Sequence, residues 1–149
     1  MFSQQNYNWS MNKEQEIRTG RHCVFAIHVH LVFVTKYRRG VFKQDHMKSL
    51  ETIFRSVCDD FDAQLVEFNG EVDHVHLLIN YPPKVALSTL VNSLKGVSSR
   101  MLRKEFGDFH PWLKRRGVLW SPSYFAASCG GAPIEILRRY IEQQQAVPA

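Results

Sequence analysis

Nowhere in the sequence does an apolar run approach the roughly 18 residues that a membrane span requires. The opening MFSQQNYNWSMNKEQEIRTG also lacks the apolar core of a secretory signal, so a cytoplasmic protein is expected. Residues 1–20 are polar and irregular and are read as a flexible tail. No linker-like passage divides the rest of the chain, so 21–149 is read as one domain. With 149 residues, 44% of them hydrophobic, the chain can bury one core. The three cysteines, Cys23, Cys58 and Cys129, are odd in number, far apart and without CxxC spacing. That argues against a disulfide framework or a zinc knuckle and leaves them as buried small hydrophobes.

What is plentiful is positive charge. The formal net charge is +5 and the sequence pI about 9.3. The basic residues cluster in KYRR at 36–39, in Lys95, Arg100, Arg103 and Lys104, in KRR at 114–116, and in Arg138–Arg139. Such clusters favour a polyanionic partner, because each neutralised phosphate releases counterions. Solubility alone is the competing explanation.

Periodicity orders the elements. CVFAIHVHLVFVT at 23–35 alternates an apolar set (Phe25, Ile27, Val29, Leu31, Phe33) with a set carrying His28 and His30, as a strand on a core does. A helix is expected over 45–61, capped by Asp45, with Met47, Leu50, Ile53, Phe54, Val57 and Phe61 at helical spacing. AQLVEF at 63–68 reads as a strand, Asn69–Gly70 as a hairpin turn, and 72–80 as the next strand, ended by Tyr81-Pro82-Pro83. A second helix is expected from Ala86 to Phe106, with Leu87, Leu90, Val91, Leu94, Val97, Met101 and Leu102 facing the core. The loop 107–120 is aromatic and basic, SYFAAS at 123–128 is a strand candidate, and Pro133 suits the first turn of a last helix. The order fits an α+β, ferredoxin-like (RRM-like) split βαβ antiparallel sheet with an added C-terminal helix. The first and third strands would be central neighbours, placing both HVH pairs on the sheet's open face.

His74 and His76, two apart on a strand, point the same way and are spaced for one metal ion. A third ligand must come from elsewhere. Tyr140 and Gln144, at i and i+4, share a helical face, where Gln144 could offer a carbonyl oxygen and Tyr140 a hydroxyl. A tyrosine hydroxyl is a poor nucleophile at neutral pH, but a metal-polarised phosphate is an easier target. Its attack on a DNA phosphodiester would keep the bond energy in a phosphotyrosine link for rejoining.

HLVFVTKYRRGVF at 30–42, DHVHLLIN at 73–80, PPKVALSTLVNSLKG at 82–96, WSPSY at 120–124 and RRYIEQQ at 138–144 together resemble the single-tyrosine HUH transposases. These are the TnpA-type enzymes of small, IS200-like insertion sequences that move as single-stranded DNA. The resemblance implies His74, His76 and Gln144 as metal ligands and Tyr140 as the nucleophile forming a 5′-phosphotyrosine link. It further implies Mg2+ or Mn2+, imperfect DNA hairpins at element ends, and a homodimer in which one chain's tyrosine helix can complete the other's histidine site. The chain departs from the common family form at Val72, where proline is frequent, and in AASCGGAPIE, a small-residue tether before the tyrosine helix.

Around this set, Asp73 and Glu67 are candidates for orienting a ligand imidazole, with surface solvation as the alternative. His28 and His30 are candidates for a supporting or DNA-contacting role, or are ordinary strand histidines. Lys36, Arg38, Arg39, Lys95, Arg103, Lys114, Arg115 and Arg116 are candidate DNA contacts. Trp112, beside Lys114–Arg116, could stack on bases, or with Trp120 could anchor the core. Competing functions are a domesticated relative acting on repeated palindromes, a catalytically silent nucleic-acid-binding module, and a phosphohydrolase using water.

Overall fold

The computed structural model describes residues 17–128 and 134–144. Strands β1 (Arg18–Thr19) and β2 (Val24–Phe25) form a small separate hairpin. After it come β3 (His28–Val34), α1 (Gln44–Asp60), β4 (Gln64–Glu71), β5 (His74–Asn80), α2 (Leu87–Phe106), α3 (Pro111–Arg116), β6 (Phe125–Ser128) and α4 (Ile134–Gln143). The main sheet has the order β4-β5-β3-β6 and every pair is antiparallel. The two central strands are the ones that carry HVH, as their pattern predicts.

The alternation of β3 and β5 decides what covers each face. Val29, Leu31 and Phe33 stand opposite Ile79, Leu77 and Val75, and this face packs on Leu50, Phe54 and Val57 of α1 and Leu90, Val91 and Leu94 of α2. Burying each such side chain contributes about 1.5–3 kcal/mol, which makes this face the main source of stability. Cross-strand neighbours on the other face are His28 and Asn80, His30 and Leu78, Val32 and His76, and Val34 and His74. That face is not open. The four histidines are only 6, 2, 1 and 1% exposed in the order 28, 30, 74, 76. Ile141 of α4 packs on Val32 and Val34, with Phe125 and Tyr140 beside it.

Other expectations change in detail. The strand predicted over 23–35 divides, because Val24–Phe25 pair with Arg18–Thr19 and so draw part of the expected tail into a hairpin. Residues 1–16 lie outside the described residues. Helix α1 is capped not by Asp45 but at Lys43, whose backbone N–H donates to His46 Nδ1 at 2.8 Å. Met101 is 41% exposed rather than in the core. Cys23 is exposed, Cys58 is buried as expected, and Cys129 lies outside the described residues, as does Pro133.

The expected turn at Asn69–Gly70 is continuous strand. Glu71 pairs with His74, so the hairpin turns at Val72–Asp73. Tertiary bonds outweigh the local turn preference here: Val41 and Phe42 N–H both donate to the Val72 carbonyl, and Thr35 N–H to that of Asp73. Gly70 instead provides clearance, since a Cβ there would lie 2.8 Å from Met47 Sδ and 3.0 Å from the His74 carbonyl. The aromatic-basic loop contains the short helix α3, whose Trp112 N–H donates to His110 Nδ1. Trp112 and Trp120 are both buried in the main core, the second of the two roles weighed for them.

Candidate metal and nucleophile site

Strand β5 sets the first part of the site. His74 and His76 emerge on one face, and each makes a specific contact that fixes its ring. Asp73 Oδ1 accepts from His74 Nδ1 at 2.8 Å, a bond that in the neutral imidazole leaves the lone pair on Nε2, where a metal ligand needs it. That hydrogen bond holds the Asp73 carboxyl below its usual range, helped by the nearby Arg38 guanidinium and opposed by burial. His76 Nε2 lies 2.9 Å from His30 Nδ1, with the rings edge to face. Burial, with His30 and His74 nearby, pushes the His76 imidazole down to about 3, so it stays neutral at ordinary pH as a ligand must.

The two-residue turn brings up a residue that the sequence pattern does not reveal. Ligand atoms of Glu71, Asp73 and His74 all lie within 4.8 Å of one another. Placing the turn at Asn69–Gly70 hides the Glu71–His74 pairing, which exists only with the turn at Val72–Asp73. Glu67, 8% exposed, sits on the same face in the row of Leu78 and His30, and accepts from Asn69 Nδ2 at 2.9 Å. Asn69 in turn stands opposite His76.

The tyrosine arrives over the neighbouring strand. Tyr140 and Ile141 lie against Val32, Val34 and Phe125, and the valines are the cross-strand partners of His76 and His74. The 120–124 segment provides the seat. Thr35 bridges Trp120, and Ser121 N–H donates to the Val34 carbonyl at 2.8 Å. Ser123 Oγ is 2.9 Å from Tyr140 Oη, while Ser121 and Ser123 hydroxyls reach Gln144 Oε1 at 3.2 and 3.5 Å. Gln144 lies one residue past α4, yet its side chain still donates to the Tyr140 carbonyl at 3.4 Å. Burial raises the Tyr140 hydroxyl above its ordinary pKa, with the Ser123 hydrogen bond opposing.

Arg38 links the two halves. Its Nε is 3.5 Å from Asp73 Oδ2, and one terminal nitrogen donates to the Glu142 carbonyl at 3.4 Å. Tyr37 and Arg38 both adopt positive φ, 59° and 56°, a strained pair for residues with side chains. The turn is tied down by the Thr35 hydroxyl donating to the Arg39 carbonyl at 2.6 Å.

The remaining basic candidates have varied settings. Lys36 lies over the Tyr37 ring and Arg39 near Trp112, both in the turn beside the histidines. Arg103 is bonded to Asp108 and to the Gly117 carbonyl, Lys95 to three carbonyls of 121–123, and Lys114 and Arg115 are exposed. The Arg116 side chain lies outside the described residues.

The His76 shift makes stability depend on pH. An unfolded imidazole titrates near 6.5, and the native one only at about 3. Between those values the unfolded chain binds a proton that the native chain refuses, so stability is complete above 6.5 and falls as pH drops. The slope from this group is about 1.4 kcal/mol per pH unit. His46, whose pKa burial also lowers, acts in the same direction. Thermal melts of metal-free protein from pH 8 to pH 5 are expected to show a falling midpoint, flattened in His76→Asn. A midpoint independent of pH would contradict this.

The antiparallel sheet thus has helices on one face and a histidine pair with a helix-borne tyrosine on the other. Residues 23–144 match the family model described as "Transposase IS200 like". The chain is 33% identical over 115 residues to the transposase for insertion sequence element IS200 of Salmonella typhimurium, covering 77% of this chain and 74% of that protein. It is 30% identical over 132 residues to the ISDra2 transposase TnpA of Deinococcus radiodurans, covering 87% and 91%. A crystal structure of a transposase from Deinococcus radiodurans R1 superposes with a TM-score of 0.78 at 32% identity, over 87% of this chain and 99% of that one. The REP-associated tyrosine transposase, solved bound to a REP hairpin, shares the fold at a TM-score of 0.53 and 11% identity, over 85% and 69%.

The chain belongs to the IS200-like transposase family. Among the described residues no helix is long and apolar enough to cross a membrane.

Proposed function

We propose that this transposase cleaves and rejoins single-stranded DNA at insertion-sequence ends, using Tyr140 on a ferredoxin-like frame to form a covalent 5′-phosphotyrosine link. The observation that carries this reading is the packing of the tyrosine helix onto Val32 and Val34, the strand neighbours of His76 and His74. One sheet face thereby carries both the tyrosine and the histidine pair.

The donor set fits a divalent ion. His74 has its Nδ1 bonded to Asp73, His76 is held neutral, and carboxylates of Glu71 and Asp73 lie close by. His74, His76 and Gln144 are the ligands we propose for Mg2+ or Mn2+, with Glu71 as an alternative oxygen donor. When bound, such an ion polarises the scissile phosphate and stabilises its developing charge.

The chain's own residues supply the rest. Ser123 orients the Tyr140 hydroxyl, whose proton passes to solvent water as the tyrosine oxygen attacks phosphorus. The phosphorus–O3′ bond breaks, and the leaving 3′ oxygen takes up a proton from water. The 5′ phosphate remains on Tyr140, and attack by a 3′ hydroxyl reverses the step to rejoin the strand. Asp73 and His30 hold the two imidazoles, with Glu67 supporting the same face. Lys36, Arg38 and Arg39, beside the site, and Lys114, Arg115 and Arg116 on α3, are proposed phosphate contacts for a hairpin-bearing strand. A homodimer, in which tyrosine helices can exchange between chains, is part of the same reading and rests on the family resemblance.

Labelled single-stranded oligonucleotide carrying an imperfect hairpin, incubated with protein and Mg2+, is expected to give an adduct that survives denaturation. Chelation is expected to abolish cleavage while hairpin binding persists. Free 5′-phosphate product without adduct would point to hydrolysis instead, and binding without any product to a silent binding module.

A further inference from the structure

The sequence offers Lys95 as a phosphate contact, but the folded chain gives its ammonium another task. Lys95 Nζ donates to three successive carbonyls, Ser121 at 2.6 Å, Pro122 at 3.2 Å and Ser123 at 3.2 Å. Three acceptors match the three N–H bonds of an ammonium. The group is half-buried, 6.0 Å from the Phe33 ring centroid and 5.9 Å from that of Tyr124, and burial lowers its pKa. Partial desolvation of a cation is costly, and charge-assisted bonds to carbonyls offset that cost.

The turn it holds is the seat of the nucleophile. Ser121-Pro122-Ser123 lies outside regular structure, yet its two hydroxyls meet Tyr140 Oη and Gln144 Oε1. The lysine comes from the middle of α2, a 20-residue helix packed in the main core. A rigid element thereby sets the position of an irregular one.

We propose that Lys95 is a positioning residue, which fixes the Ser121–Ser123 turn so that Tyr140 and Gln144 are correctly seated, and that it does not contact DNA phosphate. This rests on the reading of Tyr140 as the nucleophile. A turn left to sample several conformations would misplace the tyrosine oxygen, and small misplacements of a reacting group cost on the order of 10²-fold in rate.

The test compares full-length wild type with Lys95→Met on the hairpin-bearing oligonucleotide. We expect kcat for adduct formation to fall about 10- to 100-fold with KM, hairpin affinity and its salt dependence unchanged. Amide hydrogen exchange across 121–124 and 138–144 is expected to quicken in the same variant. A phosphate contact would instead weaken binding and lower the slope of log affinity against log salt by about 1, which would overturn the proposal. So would an unchanged rate with unchanged exchange. A Ser121→Ala/Ser123→Ala double variant disrupts the same seat without touching the lysine and serves if Lys95→Met fails to melt cooperatively; a wild-type rate there also overturns the proposal. If the wild type itself gives no adduct, the nucleophile reading fails, while the exchange and salt measurements still judge Lys95.

Discussion

Tyr140→Phe is expected to lower covalent adduct formation by at least about 10⁴-fold while leaving hairpin binding intact. The substitution removes one oxygen and little else. The ring keeps its place 5.4 Å from Phe125, and the helix keeps Ile141 buried against Val32 and Val34. Only the hydrogen bond to Ser123 is lost, a stability change of about 1 kcal/mol. A folded, DNA-binding, inert protein is thus the expected outcome, measured by denaturing gel and by melting. An adduct at near wild-type rate would move the nucleophile elsewhere.

His74→Ala is expected to be nearly as severe, with metal-dependent cleavage reduced on the order of 10³-fold and Mn2+ affinity weakened beyond 10-fold. His74 belongs both to the proposed histidine–glutamine set and to the Glu71–Asp73–His74 cluster, so either arrangement would lose a donor. It is also the partner of Asp73, whose other oxygen faces Arg38, and Arg38 in turn reaches the last turn of the tyrosine helix. Titrating Mn2+ into Glu71→Gln and Gln144→Ala then decides the oxygen donor. Weakening confined to Gln144→Ala supports the proposed set, and weakening confined to Glu71→Gln replaces it with the acidic cluster. Wild-type affinity in His74→Ala would refute both.

Much of the frame is legible in the sequence because the period of two in β3 and β5 and the helical spacing of α1 and α2 are strong and long. They predict the pairing of the two HVH strands and the apolar face beneath them. Where the pattern misleads, tertiary contact decides. Asn69–Gly70 is the better local turn, but the 35–42 segment binds the carbonyls of Val72 and Asp73 and moves the turn there. Periodicity leaves the histidine face open because it assigns α4 no place; Ile141 shows where that helix sits. Cys23 reads as part of a buried strand and is exposed in the small hairpin.

The candidate site divides along the same line. His74, His76, Tyr140 and Gln144 can be named from spacing and family likeness. Glu71 depends on the register of a single hairpin, and the serines of WSPSY depend on where a loop meets a helix. Charge alone makes Lys95 a candidate DNA contact, whereas its bonds to three carbonyls tie it to the protein's own 121–123 turn. Charge in a sequence shows that a cation is present, and only the fold shows what it faces.

The most direct measurement is to trap the adduct from wild type, Mg2+ and labelled hairpin oligonucleotide, digest with trypsin, and locate the nucleotide by mass spectrometry. Cleavage after Arg139 yields a peptide that begins at Tyr140 and contains no other tyrosine through Ala149. We predict that the 5′ phosphate is found on that peptide. A nucleotide on any other peptide would contradict the account.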